Sequence, residues 1–340
     1  NRKDGTMEGG LSRKEKRDIS ELVPKYIKEN CITCNLCSLV CPHAVIRPFL
    51  LNEEEEKKAP LEVQKNLLST TLGDNYKYTV AISVKDCTGC GLCANICPGK
   101  KGHKALEMVS KDKIFEEALV EGEYLFNEVT EKDVLPVNTV KGSQFKKPHF
   151  EFSGACAGCG ETPYLKLLTQ LFGDHLMIAN ATGCSSIYGA SSPSTPYTVP
   201  WANSLFEDNA EFGFGMKIAD DVKKQQLQKI IADNISKVEE DELDIYKAYQ
   251  QEVNNKTASD LLRVVDHTKI KPLKSLKKYI APVSLWAVGG DGWAYDIGYN
   301  GIDHVLASNE NINILVLDTE VYSNTGGQSS KSSHIGSIAK

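Results

Sequence analysis

The second half of the chain shows the clearest pattern of apolar and polar positions. Residues 283–288 and 312–317 are short apolar runs that predict buried strands, and residues 294–306 between them have helical spacing. This order of strand, helix and strand predicts a βαβ unit of a parallel sheet. Because ligands of such sheets lie at the carboxyl ends of the strands, we expect a binding site after each run.

Earlier parts of the chain give further elements and a division into domains. Residues 162–172 predict a helix, residues 175–182 a strand, and the charged, leucine-containing stretch 218–262 predicts outer helices. The acidic run at 53–58 predicts a solvated loop or helix. The predicted division is a connecting segment at 1–19, a first domain at 20–128, a linker at 129–150 and an α/β domain at 151–340.

Composition limits the class of protein. At 340 residues the chain is long enough for two domains, and no apolar run approaches the roughly 18 residues that a membrane-spanning helix needs. A net charge of −6 with scattered Lys and Arg argues against nucleic-acid binding. Residues 1–16 lack a signal-peptide pattern and an initial Met, so we expect the chain to be part of a longer protein.

Cysteine usage points to metal or cluster chemistry. The chain has 11 cysteines, and their tight Cys-x-x-Cys groups favour thiolate ligation over disulfide pairing. Such ligation predicts a reducing compartment, which is the cytoplasm or, in a eukaryote, an anaerobic organelle such as a hydrogenosome.

Two cysteine runs match the spacing of bacterial ferredoxins. The first is Cys31-x-x-Cys34-x-x-Cys37-x-x-x-Cys41-Pro42, and the second is Cys87-x-x-Cys90-x-x-Cys93-x-x-x-Cys97-Pro98. In that arrangement three close thiolates hold one [4Fe–4S] cluster, and the fourth, before the proline, reaches the other cluster. One cluster is therefore assigned to Cys31, Cys34, Cys37 and Cys97, and the second to Cys87, Cys90, Cys93 and Cys41. Zinc is a poorer match, because zinc sites take four ligands in two pairs.

A third set of cysteines is less specific. It consists of Cys156-x-x-Cys159 and the distant Cys184. Because a fourth ligand is missing, the set taken alone fits a zinc ligand group, buried thiols or a third cluster. The two other cluster motifs in the same chain favour the cluster.

Polar residues follow both predicted strands of the βαβ unit. Gly290-Asp291-Gly292 stands between the first strand and the helix, where a metal-bound diphosphate can meet helix N–H groups. Residues 318–328 follow the second strand and supply a hydroxyl, a carboxamide and free backbone carbonyls. Oxygen ligands of this kind suit Mg²⁺ that holds a diphosphate. Together the two segments resemble the diphosphate motif of thiamine-dependent enzymes.

Four stretches of the chain resemble the pyruvate:ferredoxin oxidoreductase family. They are residues 29–48, 154–163, 200–211 and 324–328. The resemblance covers nearly the whole chain. It implies a ferredoxin-like α+β domain with two [4Fe–4S] clusters, followed by an α/β domain whose doubly wound parallel sheet binds thiamine diphosphate. The chain departs from the family at Ser333-His334, where Thr-Pro is usual.

The resemblance also implies the residues of the site. Cys156, Cys159 and Cys184 would ligate a third [4Fe–4S] cluster, and Mg²⁺ would bind Asp291, Thr319 and the carbonyl of Val321. Glu161 and Asn324 would be catalytic groups and would also contact the cofactor. The other implied cofactor contacts are Cys184, Gly290, Gly292, Trp293, Glu320, Tyr322 and Ser323. Plain packing is the alternative for Trp293, and a helix N-terminal carboxylate is the alternative for Glu161.

For the complete protein, the resemblance implies thiamine-dependent oxidative decarboxylation of pyruvate with coenzyme A, giving acetyl-CoA and CO₂. Electrons would pass through three clusters to ferredoxin or flavodoxin, and the protein would assemble as a homodimer. A pyrimidine-binding domain, a coenzyme A region and the fourth ligand of the third cluster are expected in remaining domains. Three alternatives stay open: an electron-transfer polyferredoxin without thiamine chemistry, an oxidoreductase for another 2-oxoacid, and a zinc-stabilised interaction protein.

Overall fold

The computed structural model describes residues 6–73, 75–190 and 194–332. The chain forms two compact units, the first from Asn1–Gly173 and Cys184–Val199 and the second from Asp174–Gly183 and Pro200–Lys340. Each unit has its own strands, helices and core. The predicted departure at Ser333-His334 lies outside the described residues.

In the part of the chain that the structure describes, the first unit contains two small antiparallel sheets. Its strands are β1 Leu22–Tyr26, β2 Ile46–Leu51, β3 Leu68–Ser69, β4 Lys77–Ile82 and β5 Leu106–Ser110. β1 pairs with β5, and the other three strands form a sheet in the order β2-β4-β3. The helices are α1 Leu36–Leu39, α2 Glu53–Lys58, α3 Leu61–Lys65, α4 Leu92–Ile96, α5 Phe115–Asn127, α6 Val140–Ser143, α7 Thr162–Phe172 and α8 Cys184–Gly189.

Apolar side chains between these strands and helices form the core of the first unit. Ile46 on β2 is paired with Ile82 on β4, and Leu50 is paired with Tyr78; all four side chains are buried. The predicted acidic element at 53–58 is the helix α2, which a capping box between Asn52 and Glu55 starts. The short helices α1 and α4 each carry the third cysteine of a ferredoxin-like run.

The segment predicted as a linker, residues 129–150, packs on the first unit. Ser143 and Gln144 are buried, and Phe145 packs against the core. The hydroxyl of Ser38 donates to Gln144 Oε1 at 2.9 Å, which ties this segment to α1. The domain bounds that the sequence predicts stay a prediction.

The second unit is built on a parallel sheet, as predicted. Its strands β6 Leu176–Ala181, β7 Trp201–Ser204, β8 Ser284–Gly290 and β9 Asn313–Leu317 are all parallel, in the order β7-β6-β8-β9. A short hairpin of β10 Val321–Tyr322 and β11 Gln328–Ser329 follows. The helices are α9 Asn209–Asn234, α10 Leu243–Gln251, α11 Asn255–Val264, α12 Lys271–Ser275 and α13 Tyr299–Ala307.

The helix predicted at 294–306 is interrupted. A π-helix at Gly292–Ile297 precedes α13, and the N–H of Gly298 donates to the carbonyl of Trp293 at 3.0 Å. The absence of a side chain at Gly298 leaves room for the fully buried indole, since a Cβ there would lie 2.4 Å from Trp293 Cδ1. Single π-turns inside helices are frequent at functional sites.

The helices predicted over 218–262 are present and bury a core of their own. They begin earlier, at Asn209, and the N-terminal part of α9 packs on the sheet at Gly213, where a Cβ would lie 3.3 Å from that of Ala179. Farther along, apolar side chains of α9 to α12 pack together, including Leu227, Tyr246 and Leu261. These helices therefore form a small bundle and are not merely an outer layer.

Candidate functional site

Four cysteines from both ferredoxin-like runs line one cavity of the first unit. The residues around it include Cys31, Cys34, Cys37, Cys97, Tyr26, Tyr78 and Leu106. The fold thus brings the last cysteine of the second run to the first three cysteines of the first run. Burial raises the pKa of the Cys31 and Cys37 thiols. Thiolates are therefore costly here unless a cationic group such as iron replaces the protons.

The second group combines Cys41 with three cysteines of the second run. Burial, followed by negative charge on Cys41 and neighbouring thiols, raises the pKa of both Cys87 and Cys93 to about 12. Cys90 is among the neighbours that act on both of these thiols. The four residues are the same four that the sequence assigns to the second cluster.

The two runs repeat one backbone geometry around their sulfurs. The N–H of Thr33 donates to Cys31 Sγ and the N–H of Gly89 donates to Cys87 Sγ, both at 3.4 Å. Thr33 and Gly89 have φ values of 55° and 70°, in the left-handed region that favours glycine. Hydrogen bonds to ligand sulfurs are one of the means by which a protein sets cluster potential.

Sequence reasoning missed two buried residues beside these cysteines. Lys166 on α7 is 1% exposed, and its ammonium donates to backbone carbonyls at the end of α1; burial lowers the pKa of Lys166 to about 8. Tyr78 donates to Asn35 Oδ1 at 2.9 Å, just before α1 begins. Both partners of each contact are far apart in sequence, so no local motif could have marked them.

His43 links the second and third cysteine groups. Its Nε2 lies 2.9 Å from the carbonyl oxygen of Ala155, and its Nδ1 lies 3.4 Å from Thr88 Oγ1. Ala155 directly precedes Cys156, and Thr88 directly follows Cys87. His43 is 2% exposed, and burial lowers its pKa. The ring therefore connects the loops that carry the two groups.

The third group consists of Cys156, Cys159 and Cys184. Cys156 is exposed, and the other two are half-buried. Burial, the carboxylate of Glu161 and the two other thiols raise the pKa of Cys184 to about 11. The fold thus brings Cys184, at the start of α8, to the Cys156–Cys159 loop, as the third predicted site requires.

Glu161 is held by a neighbouring phenol. The hydroxyl of Tyr188 donates to Glu161 Oε2 at 2.9 Å, and burial, followed by the charge of Glu161, raises the pKa of Tyr188. Glu161 stands at the N-cap of α7, but its side chain makes no capping hydrogen bond to that helix. The hydrogen bond from Tyr188, rather than a capping bond to α7, therefore orients the Glu161 carboxylate.

Oxygen atoms of the predicted Mg²⁺ ligands lie close together in the second unit. Asp291 Oδ2 accepts hydrogen bonds from Thr319 N at 2.9 Å and Thr319 Oγ1 at 3.0 Å. Thr319 Oγ1 also lies 3.1 Å from the carbonyl oxygen of Val321 and 2.6 Å from Ser323 Oγ. Burial, followed by a hydrogen bond with Asp318, raises the pKa of Asp291. A carboxylate, a hydroxyl and a carbonyl form a set that fits Mg²⁺.

Other predicted cofactor residues lie around the β10–β11 hairpin. The N–H of Glu320 donates to Asp291 Oδ1 at 2.8 Å, and the hydroxyl of Tyr322 donates to Asp296 Oδ2 at 2.7 Å. Asn324 is exposed in the turn of the hairpin. The hairpin is therefore anchored to Asp291 through its first residues, while its turn faces solvent.

Gly290, Gly292 and Trp293 differ in their surroundings. Gly290 ends β8 with nothing closer than 3.9 Å to a built Cβ, whereas a Cβ at Gly292 would lie 2.4 Å from the Tyr322 ring. Trp293 is 0% exposed, and its Nε1 has no hydrogen-bond partner among the described residues. The indole is therefore packed in the core of the second unit, and its contact with a cofactor stays a prediction.

Two features are absent from residues 6–73, 75–190 and 194–332. Over these ranges, no three or more His, Cys, Asp or Glu side chains converge as ligands of a single metal ion. Within the same ranges, no helix combines the length and apolar character needed to cross a membrane.

Comparison with known proteins places these features in context. Residues 30–101 match the 4Fe-4S dicluster domain family, so a ferredoxin-like 4Fe–4S domain is present. The chain is 47% identical to pyruvate:ferredoxin oxidoreductase of Moorella thermoacetica, over 99% of the chain and 31% of that protein. It is 48% and 43% identical to pyruvate-flavodoxin oxidoreductases of Klebsiella pneumoniae and a Nostoc species, over 99% of the chain and 30% of each relative. The chain thus spans about 30% of the length of these relatives.

Proposed function

We propose that this chain is the electron-transfer and diphosphate-binding part of a pyruvate:ferredoxin (flavodoxin) oxidoreductase. The observation that carries the proposal is the position of Cys97 in one cavity with Cys31, Cys34 and Cys37. An exchange of the fourth ligand between two runs is the arrangement of two-cluster ferredoxins and is not expected of zinc sites. Similarity over 99% of the chain to pyruvate oxidoreductases supports the rest of the assignment.

The cysteines would hold three [4Fe–4S] clusters. Two are proposed at the groups completed by Cys97 and Cys41, and the third at Cys156, Cys159 and Cys184, with its fourth ligand outside this chain. Clusters of this type carry single electrons. The contact of His43 with Ala155 supports an order in which the group around Cys87 follows the third group. Electrons would then reach the group around Cys31 last and leave for ferredoxin or flavodoxin.

Asp291, Thr319 and Val321 would hold Mg²⁺, and the hairpin with Ser323 and Asn324 would meet the diphosphate. Thiamine diphosphate, when bound, supplies the carbon nucleophile and electron sink for removal of CO₂ from a 2-oxoacid. The residues of the chain would bind and orient it. Glu161 and Asn324 are proposed as catalytic groups, and the hydrogen bond from Tyr188 would keep the Glu161 carboxylate in one orientation.

The proposed reaction converts pyruvate and coenzyme A to acetyl-CoA and CO₂. We further propose a doubly wound thiamine-binding fold for the second unit, a homodimer, and a cytoplasmic or anaerobic-organelle location. The proposal includes no role for nucleic acid or a membrane. The relatives are named for pyruvate, which supports that substrate over other 2-oxoacids.

Three measurements on anaerobically purified intact protein test the proposal. Iron and sulfide analysis should give three clusters, calorimetry should show Mg²⁺-dependent binding of thiamine diphosphate, and pyruvate with coenzyme A should reduce a low-potential dye. Clusters without thiamine diphosphate binding would favour the polyferredoxin alternative. Zinc in place of iron and sulfide would contradict the proposal altogether.

A further inference from the structure

Lys166 has a buried amino group that the proposed reaction leaves without a role. Its ammonium donates to the carbonyls of Ser38, Leu39 (3.1 Å) and Cys41 (3.4 Å). An ammonium has three N–H donors and no acceptor, so three carbonyls satisfy it fully, whereas a neutral amine would turn a lone pair toward one of them. The geometry therefore fits the charged form.

Lys166 lies beside ligands of both ferredoxin-type clusters. The carbonyls of Ser38 and Leu39 belong to α1, which carries Cys37, and Cys41 follows that helix. Cys37 belongs to the cavity with Cys97, and Cys41 belongs to the group with Cys87. Charge on Cys41 and charge on Cys37 both act on Lys166. One ammonium thus stands next to one ligand of each proposed cluster.

A buried positive charge at Lys166 would need a nearby negative charge to offset the cost of removing it from water. No carboxylate of the described residues forms an ion pair with Lys166, and the side chain of Arg47, whose charge acts on Lys166, is also cationic. A buried charge without an opposite charge is costly. A [4Fe–4S] cluster with four thiolates is an anion whose negative charge increases on reduction, so two such clusters would supply the missing opposite charge.

We propose that the Lys166 ammonium is a counter-charge shared by the two ferredoxin-type clusters and that it raises the reduction potential of both. The inference rests on the proposed cluster ligation. A fixed positive charge in a low-dielectric interior stabilises the more negative, reduced cluster more than the oxidised one. Raising both potentials would favour electron transfer into this pair from the third cluster.

The internal repeat of the ferredoxin-like runs offers a matched control. Lys104 donates to the carbonyls of Ala94 (2.7 Å) and Asn95 (3.3 Å) on α4, which are the counterparts of Ser38 and Leu39 on α1. Lys104 is exposed, whereas Lys166 is buried. Water screens an exposed charge, so Lys104 should influence potential far less than Lys166 does.

The test compares Lys166→Gln, Lys166→Met and Lys104→Gln in the intact protein. Glutamine keeps N–H donors for the carbonyls but has no charge, so it separates the charge of Lys166 from its hydrogen bonds. Iron and sulfide analysis first confirms the clusters, and an EPR-monitored redox titration then measures their potentials. We expect both ferredoxin-type potentials to become more negative in both Lys166 variants and to stay near the unsubstituted values in Lys104→Gln.

The other possible outcomes also decide whether Lys166 is a shared counter-charge. Unchanged potentials in Lys166→Gln, or equal shifts in Lys104→Gln, would overturn the shared counter-charge. If neither neutral variant retains the clusters, Lys166→Arg is the deciding variant. Retention of the clusters in Lys166→Arg would support a requirement for positive charge. Loss of the clusters in Lys166→Arg would overturn the proposal. Absence of clusters from the unsubstituted protein would instead overturn the ligation on which this inference rests.

Discussion

A Cβ atom built on Gly158 would lie 3.8 Å from the Cβ of Cys90. Gly158 stands between Cys156 and Cys159 of the third group, and Cys90 belongs to the second group. Together with the contact of His43 and Ala155, this approach places the second group beside the third. The group that contains Cys31 and Cys97 would therefore be the last of the three along the electron path.

This order predicts different effects for two equivalent cysteines. Cys90 and Cys34 are the second ligands of their runs, so Cys90→Ala and Cys34→Ala are matched variants. After mixing with pyruvate and coenzyme A, freeze-quench EPR should show a reduced second cluster in Cys34→Ala. In Cys90→Ala the cluster of Cys31 should stay largely oxidised. Its reduction at the unsubstituted rate in Cys90→Ala would contradict the order.

The exchanged ligands give a second prediction. Cys97→Ala should damage the cluster held by Cys31, Cys34 and Cys37, because Cys97 lines their cavity. Cys41→Ala should do the reverse and damage the cluster of the second run. Mössbauer spectroscopy of both variants checks the assignment. Damage confined in each variant to the cluster of its own run would show that the fourth ligands do not cross over.

Much of the fold and the site could be predicted from the sequence, because the signals are local. Thiolate spacing predicted both groups, and the apolar runs at β8 and β9 predicted parallel strands that end near Asp291 and Thr319. The surroundings of Lys166 could not be predicted. Its partners lie 125 to 128 residues away, so only the folded chain brings them together. The close packing of Gly298 against the buried indole of Trp293, beside the π-helix, could not be predicted either, because it depends on the folded chain.

The carboxylate of Asp291 gives a third prediction. Asp291→Asn should weaken Mg²⁺-dependent binding of thiamine diphosphate by about 10-fold or more, since it removes the full negative charge offered to the metal. Asp296→Asn is the matched control, because Asp296 is a nearby carboxylate that accepts from Tyr322 and lies outside the predicted ligand set. Calorimetry with and without Mg²⁺ measures both. Equal affinity in the two variants would argue against Asp291 as a ligand, and visible spectra should show intact clusters in each.

The last prediction concerns Glu121 on α5, a residue that is 8% exposed. Burial raises the pKa of Glu121 to about 7, even though Asn66 donates a hydrogen bond to Oε1. A carboxyl whose folded pKa lies above its unfolded value stabilises the fold at low pH, and this contribution is lost as pH rises through about 7. Between pH 5 and pH 8 the loss is on the order of 2 kcal/mol.

Glu121→Gln should remove that dependence, because the amide stays neutral and its oxygen can still accept from Asn66. The unfolding temperature of the variant should therefore rise above that of the unsubstituted protein between pH 5 and pH 8, with little difference at pH 5. Glu123→Gln, an exposed carboxylate on the same helix, serves as control and should give parallel curves. Thermal unfolding under anaerobic conditions measures all three proteins. A difference between Glu121→Gln and the unsubstituted protein that does not change with pH would show that the Glu121 carboxyl is already ionised in the folded chain at pH 5.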